Sequence, residues 1–374
     1  MVKPEFRRLP LVVEGTRGNY IISNGKSYLD ISGSAMTVGY DFLNQIPSPV
    51  SLLVYDNIYT RELTERLKEI SGFENVAYST SGTEACDAAL WRHKGNIISL
   101  EGGYHGLSNL TFKVSNGSGI DKTNSIVHLK VDGRRDEVED VISYNENLLE
   151  DAHHLLNLRN STLILEIIQS DGGLYELSED FLKYIEEKIE EYDLRLIIDE
   201  VYTGFGRSGE MLLFKRKNIK PDMVCLGKGM AAGFPMGAVL YNGDWDLPYH
   251  GAISMQGGNM ATSFASLKVM DFLTEENLRM VRENGERIIK EIKEIQSPYV
   301  YEVRGRGYMI GIEIGTEKTY DQERADEIRK KLYENGIIIT LVGKHNNVVK
   351  ITPPITLTEI EIERLIMGLK KALI

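Results

Sequence analysis

The stretch "LIIDEVYTGFGRSG" (196–209) ends an apolar run on two carboxylates, Asp199 and Glu200, and then places glycines at 204, 206 and 209. The glycines fit G-x-G-x-x-G, a spacing that lets backbone approach a dinucleotide pyrophosphate. That reading needs the glycines to end a strand and open a helix, with an acidic residue about 20 positions on. Here "EMLLFKRKNIKPD" follows, with no long amphipathic helix before Pro221, and Asp222 is a poor ribose partner. The glycines are therefore expected to form a tight or mobile loop. Gly227-Lys228 resembles the end of a phosphate loop, but Asp222 and Gly229 stand where glycine and a hydroxyl residue are required.

Taken together, the same residues make a different site. Asp199 and Lys228 each follow an apolar run, so both are expected beyond strand C-termini, where open α/β sheets bind ligands. A buried aspartate beside a buried lysine suits pyridoxal phosphate: the amine condenses with its aldehyde as a Schiff base, and the carboxylate keeps the pyridine nitrogen protonated. In "YSTSGTEACDAAL", Ser81, Gly82 and Thr83 open a helix whose free N–H groups form an anion site. In "GGYHG" (102–106), Tyr104 offers a ring face after the strand "NIISL", with His105 beside it. Each piece alone has an ordinary structural explanation, as cap, packing or surface residue; their order along the chain, each at an expected strand end, favours one site.

These residues require a sheet to carry them. Apolar runs at 74–79, 96–100, 161–168, 194–201 and 223–227 read as strands, and 59–71 and 178–192 as amphipathic helices, the second capped by Ser178. Alternation of this kind gives an α/β domain with a mostly parallel central sheet. Asn24-Gly25 between β-rich runs within 11–31 marks a hairpin. After about residue 260 the pattern becomes α+β: a long helical stretch (264–295), two strands in "YEVRGRGYMIGIEI", a helix ending at Gly336, strands "IIIT" and "VVKIT", and a last helix opened by Thr358 and Glu361 in capping-box spacing. The expected division is an N-terminal segment (1–45) packing with the small domain, a large cofactor-binding domain (46–260) and a small C-terminal domain (261–374).

Composition narrows the partners. The 374 residues carry 43 Lys plus Arg against 55 Asp plus Glu, a net charge of -12 that argues against nucleic acid and for small molecules. Cys86 and Cys225 read as two reduced cysteines, with no metal-ligand spacing. No signal peptide and no run of about 18 apolar residues is found, so a cytoplasmic protein with no membrane span is expected.

The segments "TSGTEACDAAL", "GGYHG", "LILEIIQSDGG", "IIDEVYTGFGRSG", "PDMVCLGKGMAAGFPMGAVL", "GGNMATSFASLKVM" and "VRGRGYMIGIEI" resemble successive signatures of the class III aminotransferases, fold type I pyridoxal-phosphate enzymes, over nearly the whole chain. The resemblance implies Lys228 as the Schiff-base lysine, Asp199 as the pyridine-nitrogen partner, Gly82 and Thr83 at the phosphate, and Tyr104 on the ring. It also implies a homodimer whose active sites lie at the interface, with a partner hydroxyl from the segment before "GGN" completing each phosphate site. Met255 stands at that position, so the neighbouring Ser254 takes the role. Tyr202, where glutamine is common, is expected to reach the cofactor's phenolic oxygen. Many members grip substrate with an arginine before the two prolines, often switching against a glutamate matching Glu166; here Lys350 precedes them, a point charge in place of a fork, its ordinary explanation being a solvated strand residue. The expected reaction moves an amino group from an amino donor, ω-amino or semialdehyde-related, to a 2-oxo acid, Lys228 carrying the proton. An aminomutase of the glutamate-1-semialdehyde type or a racemase retains the same cofactor residues, and an NAD(P)-dependent dehydrogenase is the remote rival.

Overall fold

The computed structural model describes residues 15–31, 46–47, 52, 56–92, 95–115, 117–132, 134, 140–243 and 253–374. Most of the expected N-terminal segment, including the start of its first strand at 11–14, lies outside the described residues. The chain divides into two compact units, one of residues 46–204 and 212–271, the other of 1–45, 205–211 and 272–374.

The first unit is built on a sheet with strands in the spatial order Asn75–Ser79, Gly237–Tyr241, Met223–Leu226, Arg195–Asp199, Thr162–Leu165, Ile97–Leu100, Ile126–Leu129 and Gly119–Asp121. The inner strands from Met223–Leu226 to Ile126–Leu129 run parallel; Gly237–Tyr241 is antiparallel to both neighbours and Gly119–Asp121 to its one. Parallel strands covered on both faces read as continuous apolar runs, and "TLIL", "IISL" and "MVCL" are buried throughout. Helix Gly82–Arg92 lays Ala85, Cys86 and Ala89 into a core shared with Ala77, Ile197, Cys225 and Val239. Alanines at that face let the helix approach the sheet closely. Helix Glu179–Tyr192 starts at Ser178, whose side chain accepts from Phe181 N, and buries Phe181, Leu182, Tyr184 and Ile185.

In the second unit a hairpin of Tyr20–Ser23 and Lys26–Asp30 turns at Asn24 and Gly25, with φ of 50° and 69°, the paired left-handed conformation of a type I′ turn. Its second strand pairs in parallel with Ile337–Ile338. Strands Val300–Arg306, Met309–Thr316, Val348–Ile351 and Thr340–Val342 form the other sheet in that order. Helix Glu359–Leu373 closes the chain with the full capping box of Thr358 and Glu361, burying Ile362, Leu365, Ile366 and Leu369.

The helical stretch expected over 264–295 is two helices, Met260–Phe272 and Glu275–Lys293. Thr274 interrupts it: extended at φ -69°, ψ 160°, its side chain accepts from Asn277 N and caps the second helix, with Glu275 and Glu276 in the first turn.

Candidate active site

Asp199 is the last residue of its strand, in register with Cys225 on the neighbouring parallel strand, and Lys228 lies just beyond that strand's end. Two parallel neighbours thus deliver a carboxylate and an amine to one edge of the sheet, as the sequence leads one to expect. The backbone helps to set the lysine: Lys228 has φ of 43°, in the left-handed region that non-glycine residues avoid. Its Nζ lies 4.5 Å from the centre of the Tyr202 ring.

Asp199 is buried, and its surroundings keep it ionised. Burial alone would raise its pKa, but the hydrogen bond and charge of His105, the charge of Lys228 and the Val201 N–H together hold it below the ordinary value. His105 Nδ1 donates to Asp199 Oδ2 over 2.8 Å. Burial pulls the His105 imidazolium down, yet the Asp199 bond and charge raise it above the ordinary histidine value. The backbone N–H of His105 donates to Ser115 Oγ at 2.8 Å.

The "GGYHG" loop is anchored from a third strand end. Glu166, buried one residue beyond Thr162–Leu165, accepts from Tyr104 N at 2.8 Å and from Ser170 N at 3.3 Å. Burial, and then the charge of Asp199, push its carboxyl up to about 7. Glu166, which the resemblance assigned to a substrate switch, here holds the backbone of the residue expected to stack on the ring.

The proposed phosphate cradle sits beside the lysine. Ser81 Oγ accepts from Glu84 N at 3.1 Å and Ser81 O from Ala85 N at 3.1 Å, so the Gly82 and Thr83 N–H groups are the donors at the helix start. A Cβ on Gly82 would stand 2.4 Å from Val201 Cγ1, and one on Gly227 would stand 3.0 Å from Gly82 Cα. Gly82, Val201 and Gly227 therefore touch, which brings the helix start against the residue preceding Lys228. A Cβ on Gly106 would fall 2.5 Å from Thr83 Oγ1, so the aromatic loop packs on the same turn.

Other assignments stand apart. Ser254 adjoins Gly257, whose added Cβ would meet Tyr78 O at 2.3 Å; its Oγ is buried without a hydrogen-bond partner among the described residues, while Met255 is 59% exposed. Lys350 is no solvated residue: it is 3% exposed within Val348–Ile351, paired with Gly311 and Thr340. It belongs to the second unit.

The glycine loop is used differently from a dinucleotide fingerprint. Phe205 N donates to Met211 O, Gly206 N to Glu210 O and Gly209 N to Gly206 O, so the turn closes on itself. The helix after it, Leu213–Arg216, has four residues. Arg207 is buried and its guanidinium donates to Pro353 O.

Sequence reasoning did not reach Cys86, Val201 or Ser115. Cys86 Sγ donates to Asp199 Oδ2 at 3.4 Å. Its position one helical turn beyond Gly82 puts it on the face turned to the sheet, but the contact itself depends on how closely the helix packs.

The site thus holds an ionised buried carboxylate, an amine, an anion-binding helix start and an aromatic loop, with His105 Nε2 buried and unpartnered among the described residues. This set fits a flat, anionic cofactor bearing an aldehyde and a ring nitrogen. Such an arrangement on a doubly covered parallel sheet is that of the fold type I pyridoxal-phosphate transaminases. The family model described as "Aminotransferase class-III" matches residues 1–373, and the chain belongs to that family. It is 32% identical to the acetylornithine aminotransferase of Aquifex aeolicus (strain VF5), across 98% of each chain. It is 30% identical to the alanine/serine racemase of Pyrococcus horikoshii, across 97% of this chain and 86% of the other. Among solved structures, an amine transaminase from an uncultivated Pseudomonas species superposes with a TM-score of 0.83 at 24% identity, covering 100% of this chain and 96% of that one. The protein is an enzyme, a transaminase that moves an amino group from an amino acid to a 2-oxo acid with pyridoxal 5′-phosphate as cofactor. Among the described residues no helix is long and apolar enough to cross a membrane.

Proposed function

We propose that the donor is an ω-amino acid, that Lys228 takes up the cofactor's aldehyde, and that Asp199 partners its ring nitrogen. The observation that carries the roles of Lys228 and Asp199 is the buried Asp199–His105 pair, hydrogen-bonded over 2.8 Å, on the strand next to the one that leads to Lys228. When bound, pyridoxal phosphate supplies an aldehyde that captures amines and a ring that accepts the electron pair left by a departing proton. The Lys228 amine takes that proton from the substrate carbon and returns it. Asp199, ionised, holds the proton of the ring nitrogen, and His105 fixes the carboxylate's orientation. Ser81, Gly82 and Thr83 hold the phosphate; Tyr104 covers the ring, its backbone tethered by Glu166; the Tyr202 hydroxyl serves the phenolic oxygen.

A second copy of the chain completes the phosphate site through Ser254, in a homodimer. The exposed apolar side chains of Met255, next to Ser254, and of Trp91 and Leu107, 74% and 70% accessible, support a face that a second copy covers. Glu166 serves the substrate side of the site, at the end of the strand that neighbours the strand of Asp199. The relatives named for acetylornithine and, at 26% identity in Haemophilus influenzae, for diaminobutyrate and 2-oxoglutarate support a diamino-acid donor. Racemisation or aminomutase chemistry on a single substrate is the second reading, favoured by the 30% identical racemase.

Borohydride reduction of the loaded enzyme followed by peptide mapping tests the lysine; the adduct is expected on the peptide containing Lys228, and its appearance elsewhere refutes the assignment. Mass spectrometry of amino donors crossed with 2-oxo acids tests the reaction. Turnover of one amino acid with no acceptor present would decide for the second reading.

A further inference from the structure

The Asp199 carboxylate has a third side-chain or backbone donor with no place in the reading above. Cys86 lies fully buried on Gly82–Arg92, and its thiol donates to Oδ2 at 3.4 Å, the oxygen that also accepts from His105 Nδ1 at 2.8 Å. Oδ1 accepts from Val201 N at 3.0 Å. The thiol is held there from two directions. Ala85 and Ala89 seat the helix on the sheet, and Cys225, the register partner of Asp199, lies within hydrogen-bonding reach of Cys86. A carboxylate offers about four acceptor directions. His105, Cys86 and Val201 fill three of them, leaving one, on Oδ1.

We propose that Cys86 is a positioning residue for amino transfer: its thiol closes the second acceptor direction of Oδ2, leaving Oδ1 as the oxygen that would take the ring nitrogen's proton. The inference rests on Asp199 being the ring-nitrogen partner. The thiol suits the place because it is small and apolar enough for the core yet still donates. An alanine would leave Oδ2 one donor short in surroundings where a missing donor raises the carboxylate's affinity for protons. The charged and titratable groups around Asp199 are His105, Lys228 and Glu166, with Cys86 and Cys225 behind it and Glu200 next in the chain. Substitution at 86 leaves all the others in place.

The test compares wild type, C86A, C86S, C225A and D199N as full chains loaded with pyridoxal phosphate labelled with ¹⁵N in the ring. The nitrogen chemical shift reports where the proton resides, and dilution gives the rate of cofactor loss. C86A should move the shift toward unprotonated pyridine and speed cofactor loss about threefold to tenfold, the scale of one weak hydrogen bond to a charge. C86S keeps a donor and C225A keeps the Cys86 thiol, so both should match wild type. The proposal is overturned if C86A matches wild type, or if C86S or C225A moves as far as C86A, since packing alone would then be responsible. If D199N gives the wild-type shift, the assignment of Asp199 itself fails; if D199N moves and C86A does not, only the role of Cys86 falls.

Discussion

Glu200 follows the proposed ring partner directly, and its burial has a measurable cost. The side chain is 1% exposed; it accepts from Phe214 N at 2.6 Å and Thr203 Oγ1 at 2.8 Å, tying down the turn that carries Val201 and Tyr202. Burial pushes its carboxyl up to about 7 against an ordinary 4.5, the hydrogen bonds from Phe214 and Thr203 offsetting only part of the effect. The folded chain therefore holds this proton to about pH 7 while the unfolded chain releases it near 4.5. Between these values the folded state binds more protons, so stability falls as pH rises through the window and the loss is complete above 7. The full difference corresponds to about 3 kcal/mol. Glu200→Gln removes the titration and keeps an acceptor for Phe214 N, while the Thr203 hydroxyl can turn to accept from the new amide. Urea unfolding of the cofactor-free variant and wild type at pH 4, 6 and 8 is the assay. The variant should gain on wild type by about 2–3 kcal/mol from pH 4 to pH 8. An unchanged difference across that range would refute the account of Glu200 as a buried, proton-retaining carboxyl.

Three further outcomes are expected. Gly82→Ala puts a methyl 2.4 Å from Val201 Cγ1 and should destabilise the fold by about 1–3 kcal/mol and weaken cofactor binding, with Val201→Ala in the same chain restoring part of both, since its Cβ would still stand 3.2 Å away; calorimetry and cofactor titration check this, and a double variant with no recovery at all would show that the Val201 methyls are not the obstacle. Asp199→Asn should lower amino transfer by about 10²- to 10³-fold while borohydride still fixes the cofactor on Lys228; an unimpaired rate in stopped-flow half-reactions would sink the role of the charge. Ser254→Ala should leave the melting temperature unchanged, since its Oγ has no partner among the described residues, yet loosen the cofactor about threefold to tenfold; equal affinity would remove Ser254 from the phosphate site.

The sheet was legible because parallel strands buried on both faces must be apolar along their whole length. "TLIL", "RLIID" and "MVCL" advertise their own ends, and the polar residues at or just past those ends, Glu166, Asp199 and Lys228, are thereby placed at one edge. The helices at 179–192 and 359–373 were legible through their caps, which act locally. The break at Thr274 was less so: Leu267, Val269 and Leu278 continue an apolar texture across it, and one threonine turned extended decides the matter. The burial of Lys350 was hidden for the opposite reason. A strand's register, not its composition, decides which side chains are enclosed, and the pairing with Gly311 joins strands that a helix and short strands separate in sequence. Cys86 was beyond reach in the same way, because its contact depends on how far a helix sinks onto the sheet.

The two halves of "LIIDEVYTGFGRSG" compete for the chemistry, and the destination of backbone N–H groups settles the competition. An anion site needs donors that the chain has not already satisfied. In the glycine loop, Phe205, Gly206 and Gly209 spend their N–H groups on Met211, Glu210 and Gly206 carbonyls within the turn, and the Arg207 carbonyl accepts from Tyr308 N. Gly206, at φ +80°, has no room for a Cβ between Ile355 and Leu273, so its glycine is explained by packing and conformation without any ligand. At Gly82 the same lack of room coincides with a helix start whose leading N–H groups precede the capped ones. Lack of room for a Cβ therefore means different things at Gly206 and Gly82, and of these two stretches the helix start, beside Asp199 and Lys228, keeps leading N–H groups for an anion while the glycine loop spends its own.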